Sequence, residues 1–220
     1  MGRLEGKIAV ITGAAGCVLF VHESNDRGIG LESTILFARE GAKVLMADVN
    51  PVTLETGLGR AREFAPDARI ESFTVDVSKE EQVAGMVAKA EELFGGGIDI
   101  IFNNAGIMHP EDDNALNTEE RIWYCLDLRV AYNRDLTHNI NVKGVWWGCK
   151  YAIKSMKEHK KGGSIINTAS MVAVVGSAAP QLACNVALKP HNNVRYRFER
   201  RCACNVKRVG YRACKGWNPG

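Results

Sequence analysis

Lys7-Ile-Ala-Val-Ile-Thr-Gly-Ala-Ala-Gly16 and, after eleven intervening residues, Gly28-Ile-Gly30 decide the fold of this chain. The apolar, β-branched run over residues 7–12 predicts a strand that is covered on both faces. A dinucleotide site needs glycine in such a loop for a tight turn and for close approach of the backbone to the pyrophosphate. The N-terminus of the following helix adds N–H groups and a positive dipole. The segment therefore predicts a cofactor loop, although glycines alone would also suit a plain turn.

Strand and helix patterns alternate along the rest of the chain. Strands of this kind separated by helices indicate βαβ units, so we expect an α/β fold, a Rossmann-type doubly wound parallel sheet with helices on both faces. Ser78 and Glu81 form a capping-box pattern that opens the third helix, and Gly95-Gly-Gly97 ends it. The predicted helices are 28–40, 51–64, 78–94 and 136–159, and the further strands are 43–47, 69–75, 98–102 and 164–168.

Asp48 follows the second predicted strand, 18 residues after Gly30. At that position a carboxylate can accept hydrogen bonds from the adenosine ribose hydroxyls and repel a 2′-phosphate. The sequence therefore favours NAD over NADP as the cofactor.

Five short motifs in register resemble the short-chain dehydrogenase/reductase family, and their order and spacing match it across most of residues 1–183. They are Thr12-Gly13 with Gly28-Ile29-Gly30, Asp76-Val77, Asn103-Asn-Ala-Gly106, Asn141-Val-Lys-Gly144 and Ile166-Asn-Thr-Ala-Ser170. The resemblance implies a nicotinamide cofactor and hydride transfer between an alcohol and a carbonyl compound. It also implies that Asp76 lies beside the adenine, that Asn103, Ala105 and Gly106 shape the cofactor floor, and that Asn141 and Ser170 are catalytic.

Two segments interrupt the family pattern, at about residues 17–27 and 124–134. Removing both restores the family spacing, so we interpret them as unspliced intron sequence or flawed gene annotation, with genuine loop insertions as the alternative. We divide the chain into a dinucleotide-binding domain, residues 1–183, and a basic, cysteine-rich tail, residues 184–220, which we expect to be poorly ordered. Members of the family are longer and supply further strands beyond the part that this chain matches, so we expect the sheet to be incomplete at its C-terminal end.

The family places a Tyr-x-x-x-Lys pair about fourteen residues after its catalytic serine, where this chain has Cys184 and Leu188. Tyr211 and Lys215 carry the same mutual spacing in the tail, and an insertion over residues 184–210 would explain their displacement. Four residues apart on a helix, the two side chains share one face. A nearby ammonium group lowers the pKa of a tyrosine, which is ordinarily about 10, so Tyr211 could exchange a proton with substrate. The resemblance further implies that Asn141 holds a water linking Lys215 to solvent.

Composition excludes several classes of protein. The 220 residues are 46% hydrophobic and 24% charged, which is ordinary for a globular chain, and no apolar run approaches the ~20 residues of a membrane span. The N-terminus lacks an apolar signal core, so we expect a cytoplasmic protein without a membrane partner, and the family resemblance allows a homo-oligomer. Two alternatives to an active oxidoreductase remain: a catalytically inactive dinucleotide-binding remnant, and a function of the tail.

The tail carries nine Lys and Arg residues and one acidic residue within a chain of net charge +3. Such a segment could contact nucleic acid phosphates. Its four cysteines, Cys184, Cys202, Cys204 and Cys214, could instead bind zinc. Their spacing fits no common zinc pattern, so we predict no metal site. A run of basic residues is more often a solvated segment, so we do not favour nucleic acid as a partner.

Overall fold

The computed structural model describes residues 2–16, 28–108, 116–117, 119 and 136–169, together with the backbone of residues 196–197. Within these residues one sheet has the strand order β3-β2-β1-β4-β5-β6. The strands are β1 (Ile8–Thr12), β2 (Lys43–Asp48), β3 (Ile70–Thr74), β4 (Ile100–Asn103), β5 (Ser164–Asn167) and β6 (Tyr196–Arg197). The first five are parallel, which confirms the predicted doubly wound sheet. β6 pairs antiparallel with the edge of β5, a pairing that the sequence does not predict.

The helices connect the strands where the sequence places them. They are α1 (Ile29–Arg39), α2 (Pro51–Phe64), α3 (Glu80–Phe94), the short α4 (Leu136–His138) and α5 (Val145–Glu158). A π-helical segment, Asn139–Gly144, joins α4 to α5, so the long predicted helix is interrupted in its first third. Asn50 caps α2 by accepting hydrogen bonds from the amides of Val52 and Thr53.

The predicted capping box at the start of α3 is wrong. The helix begins at Glu80, and its N-cap residue is Lys79, which has no side-chain capping bond. Ser78 instead turns back toward Asp76, whose Oδ1 accepts hydrogen bonds from the Ser78 amide at 2.9 Å and the Ser78 hydroxyl at 2.6 Å. The Asp76 carboxylate is a charged acceptor two residues away, and its bonds from the Ser78 amide and hydroxyl form a local turn that leaves Ser78 outside the helix.

Two apolar layers cover the sheet, one on each face. Ala9 and Ile11 of β1 pack with α1 and α2, whereas Ile8 and Val10 pack with α3 and α5. All five β1 residues are buried, which explains why the strand reads as a continuous apolar run rather than an alternating one. Among the helices described, none combines the length and the apolar character that a membrane crossing requires.

Candidate cofactor-binding site

The strand order reverses between β1 and β4, so a ligand crevice is expected at the carboxyl ends of these two strands. The chain moves outward from β1 through β2 to β3, then returns to the other side of β1 as β4 and continues to β5. In open parallel sheets, ligands bind where the strand order reverses in this way. The predicted cofactor residues end or follow β1, β2, β3 and β4, or open α1, so the topology gathers them at this edge of the sheet.

Gly13 and Gly30 bring the loop after β1 against the start of α1. A β-carbon on Gly30 would lie 2.1 Å from the Gly13 carbonyl oxygen, so no larger residue fits there without movement of the loop. Gly13 itself has φ +64°, and a β-carbon there would lie 2.9 Å from the Cα of Ala105. Both glycines are therefore needed for the close backbone packing that a pyrophosphate cradle uses. Gly28 is the N-cap of α1 and Ile29 its first residue, so the positive end of the helix dipole lies beside this loop.

Asp48 braces the same loop from the end of β2. Its Oδ2 accepts a hydrogen bond from the Ala15 amide at 3.0 Å, and its Oδ1 accepts one from the Asn50 amide at 3.3 Å. The carboxylate is half-buried, with lone pairs left for a further donor. Asp48 therefore holds the loop after β1 in place from the end of β2.

Thr12 and Asn104 join the loop after β4 to the loop after β1. The buried Thr12 hydroxyl accepts hydrogen bonds from the Asn104 amide at 3.0 Å and the Ala105 amide at 3.1 Å. The Asn104 side-chain amide donates to the carbonyl oxygens of Thr12 and Gly13, each at 3.2 Å. Asn104 is not among the site residues predicted from the sequence. The sequence did offer one signal for Asn104, because it lies between Asn103 and Ala105, which are both predicted site residues.

Asn103 is 2% exposed, and its side chain points into the protein rather than toward the crevice. Its Nδ2 donates to Asn167 Oδ1 at 2.8 Å and lies 3.7 Å from the Cys149 sulfur. Gly148 makes room for it, because a β-carbon there would lie 2.0 Å from Asn103 Oδ1. The side chain therefore ties β4 to β5 and α5, and only the backbone of Asn103 lies at the strand end. Burial raises the pKa of the Cys149 thiol above its usual value.

Asn141 lies in the π-helical segment and is 3% exposed. Its Oδ1 accepts a hydrogen bond from the Ile107 amide, and its Nδ2 donates to the Ile107 carbonyl oxygen, both at 2.9 Å. Gly106 allows this approach, because a β-carbon there would lie 3.3 Å from Asn141 Oδ1. The side chain therefore fixes the backbone that follows β4 beside the crevice.

Asp76 and Val77 follow β3 at the same edge of the sheet. Asp76 is held by Ser78 and, through its backbone amide, by Gln82 Oε1 at 2.8 Å. Val77 packs on the Gly144 backbone, where a β-carbon would lie 2.9 Å from the Val77 carbonyl oxygen. These contacts place the Asp76-Val77 turn between α3 and the π-helical segment.

The remaining predicted features lie outside the described residues. These are Ser170, Tyr211, Lys215, the segments 17–27 and 124–134, the four tail cysteines, and the tail itself apart from the backbone of residues 196–197. The catalytic assignments to these residues and the division at residue 183 stay predictions. In the part of the chain that the structure covers, no group of three or more His, Cys, Asp or Glu side chains could hold a metal ion.

The residues present fit a dinucleotide. Close backbone packing of Gly13 against Gly30, a helix N-terminus beside them and a carboxylate at the end of β2 are three features that dinucleotide sites use. The interruption after Gly16 does not prevent Gly13 and Gly30 from meeting.

Comparison with known proteins agrees with this geometry. The family model described as short chain dehydrogenase matches residues 7–182. Over 171 residues the chain is 38% identical to the uncharacterized oxidoreductase YxbG of Bacillus subtilis (strain 168), which covers 78% of this chain and 52% of that protein. It is 36% identical over 182 residues to galactitol 2-dehydrogenase of Agrobacterium fabrum, which covers 83% of this chain and 59% of that protein.

Among solved structures, the chain is similar to a xylitol dehydrogenase with NAD⁺ bound. The TM-score is 0.66 at 28% sequence identity, with 84% of this chain and 61% of the other covered. The chain thus spans about half to three fifths of the length of the relatives that it matches.

Proposed function

Because this chain belongs to the short-chain dehydrogenase family, which binds a nicotinamide dinucleotide, we propose that it is an NAD-dependent oxidoreductase that interconverts an alcohol and a ketone. The observation that carries the proposal is the close contact of Gly13 and Gly30, which brings the loop after β1 to the N-terminus of α1 despite the eleven-residue interruption and so supports a pyrophosphate cradle there. The cradle contributes backbone amides and the N-terminal dipole of α1 to two phosphate groups.

NAD rather than NADP suits the charge at the end of β2. The Asp48 carboxylate would accept hydrogen bonds from the adenosine ribose diol, and it would repel a phosphate at the 2′ position. The similar xylitol dehydrogenase was solved with NAD⁺ bound, which supports the same choice.

In the proposed reaction, side chains of the protein exchange a proton with the substrate oxygen. The nicotinamide, when bound, supplies the hydride acceptor or donor. Tyr211 exchanges the substrate hydroxyl proton, Lys215 lowers the pKa of that tyrosine, and Ser170 donates a hydrogen bond to the substrate oxygen. The Asn141 side chain bonds both backbone groups of Ile107, so it would act by positioning, and its backbone would be the part that holds a water.

The substrate class follows the family chemistry. Two similar proteins are named for sugar alcohols, galactitol and xylitol, so polyols belong in the first panel of secondary alcohols to be tested. We further propose that the protein acts in the cytoplasm and assembles as a homo-oligomer, as the family resemblance implies.

Turnover with a panel of secondary alcohols and polyols tests the proposal, with NAD⁺ reduction followed by absorbance. We expect activity in the wild-type chain that is lost in Tyr211→Phe and reduced in Ser170→Ala. NADH binding is measured in parallel. Binding without any turnover would identify the chain as a dinucleotide-binding remnant, and absence of both would refute the proposed function.

A further inference from the structure

Thr168 lies directly after β5, two residues before Ser170, and it contacts the loop after β4. Its Oγ1 donates a hydrogen bond to Asn104 Oδ1 at 3.0 Å, and its backbone amide donates to the Asn103 carbonyl oxygen at 3.0 Å. The backbone bond merely continues the parallel pairing of β4 and β5. The side-chain bond reaches one strand further, because Asn104 itself bonds the loop after β1.

The carbonyl oxygens of Thr12 and Gly13 fix the orientation of the Asn104 amide group, and the Thr168 hydroxyl anchors that group from its other side by donating to Oδ1. With Oδ1 facing a hydroxyl donor, Nδ2 faces the carbonyl oxygens of Thr12 and Gly13 at 3.2 Å. A flipped amide would place Oδ1 against two carbonyl oxygens, which is repulsive. Nδ2 also lies 3.1 Å from the position of a β-carbon on Gly13, so the amide lies directly under the glycine loop.

We propose that Thr168 is a positioning residue that couples the end of β5, which leads to Ser170, to the cofactor loop at Gly13 through the side chain of Asn104. The coupling crosses three adjacent strands, β5, β4 and β1, by side-chain hydrogen bonds rather than through the sheet ladder. Any effect of this coupling on catalysis rests on the proposed function. Its structural content, that the hydroxyl of Thr168 holds the Gly13 loop, does not depend on that function.

Hydrogen exchange of the backbone amides in residues 12–16 of the ligand-free full chain tests the coupling. Loss of one part-buried neutral hydrogen bond corresponds to about a three- to tenfold change in a local opening equilibrium. We expect Thr168→Val to accelerate exchange in residues 12–16 by about that factor, and Thr168→Ser to restore the wild-type rate. If Thr168→Val does not fold, Thr168→Ala takes its place in the experiment, because it removes the same hydroxyl without adding a branched side chain.

Ser155→Ala is the matched control. The Ser155 hydroxyl is buried and accepts a hydrogen bond from the Ile98 amide at 3.1 Å, at the opposite end of β4. Its removal should accelerate exchange at Ile98 and leave residues 12–16 unchanged. A general loss of stability would instead speed exchange in residues 12–16 in this variant as well.

A double-mutant cycle with Asn104→Ala identifies the route. If Thr168 acts through Asn104, then Thr168→Val combined with Asn104→Ala exchanges no faster in residues 12–16 than Asn104→Ala alone. Additive effects, or unchanged exchange in Thr168→Val, would overturn the proposal.

The NADH dissociation constant provides a second readout. It should rise about three- to tenfold in Thr168→Val and stay near wild type in Thr168→Ser. Equal affinity in Thr168→Val and wild type would contradict the coupling. If the wild-type chain binds no NADH, the proposed function fails, and the exchange experiment still decides the inference.

Discussion

The backbone of Gly30 lies so close to Gly13 that a β-carbon on Gly30 would be 2.1 Å from the Gly13 carbonyl oxygen. The two residues belong to one family motif that eleven extra residues divide after Gly16. Lengthening a loop adds little entropic cost, so the interruption threatens the site only if it separates the two ends. The contact shows that the ends still meet.

Gly30→Ala should weaken cofactor binding. The added methyl group would overlap the Gly13 carbonyl oxygen, and forcing extra volume into a packed contact costs about 1–3 kcal/mol. We expect the NADH dissociation constant to rise about tenfold or more, as measured by a fluorescence titration.

Gly59→Ala serves as its control. Gly59 lies inside α2, and a β-carbon there would have no atom within 4 Å. Replacing a glycine inside a helix by alanine stabilises it by about 1 kcal/mol, so this variant should unfold at higher urea concentration and bind NADH normally. Weakened binding in both variants would refute the steric explanation.

Asp48→Asn should change the choice of cofactor. The asparagine side-chain oxygen can still accept the hydrogen bond from the Ala15 amide, but the negative charge that opposes a 2′-phosphate is gone. Like charges in contact cost several kcal/mol. We therefore expect the ratio of NADPH to NADH affinity to rise about tenfold or more in parallel titrations. An unchanged ratio would show that Asp48 does not face the ribose.

Asn141→Asp should destabilise the fold. A carboxylate can accept the hydrogen bond from the Ile107 amide but cannot donate to the Ile107 carbonyl oxygen, which it would face at short range. Leaving such a buried group unsatisfied costs about 1–3 kcal/mol. Urea unfolding at neutral pH should report a loss of this size. A stability equal to wild type would mean that the pair with Ile107 contributes nothing.

Cys149 should resist alkylation in the folded protein. Burial raises the pKa of its thiol above the usual 9.0, so little reactive thiolate forms at pH 8. Mass spectrometry of the tryptic peptide 144–150 should show slow iodoacetamide labelling in buffer and fast labelling in urea. Labelling that is equally fast in buffer and in urea would contradict the burial.

The raised pKa of the Cys149 thiol also affects stability. Its contribution to stability is present below the pKa of the unfolded state and is lost as pH rises through the pKa of the folded state.

Much of the fold follows from local sequence signals. The apolar run of β1, the proline that opens α2 and Gly95 at the end of α3 each fix a local conformation, and the structure confirms these elements. We recognise no such signal for the π-helical segment, and its buried Asn141 bonds Ile107, which lies 34 residues away in the sequence. The capping-box prediction was wrong because Ser78 forms a local turn with Asp76, and the helix begins after Lys79 instead.

The sequence motifs predicted the backbone positions of the candidate site, but they did not predict which side chains turn into the protein interior. Gly13 and Gly30 pack together, and Asp48 bonds the same loop through the Ala15 amide. The Asn103 side chain turns away into a bond with Asn167, and Asn104 carries the contact to the glycine loop instead. The sequence does not show which of two adjacent asparagines faces the loop, because neighbouring side chains point to opposite sides of a strand and β4 is buried on both sides.

Direct titration of the wild-type full chain with NADH, followed by cofactor fluorescence, tests the central claim that the divided glycine motif still forms a dinucleotide site. We predict saturable binding of NADH, tighter than that of NADPH, that is weakened in Gly30→Ala and retained in Gly59→Ala. A chain that folds cooperatively yet binds neither dinucleotide would contradict the claim.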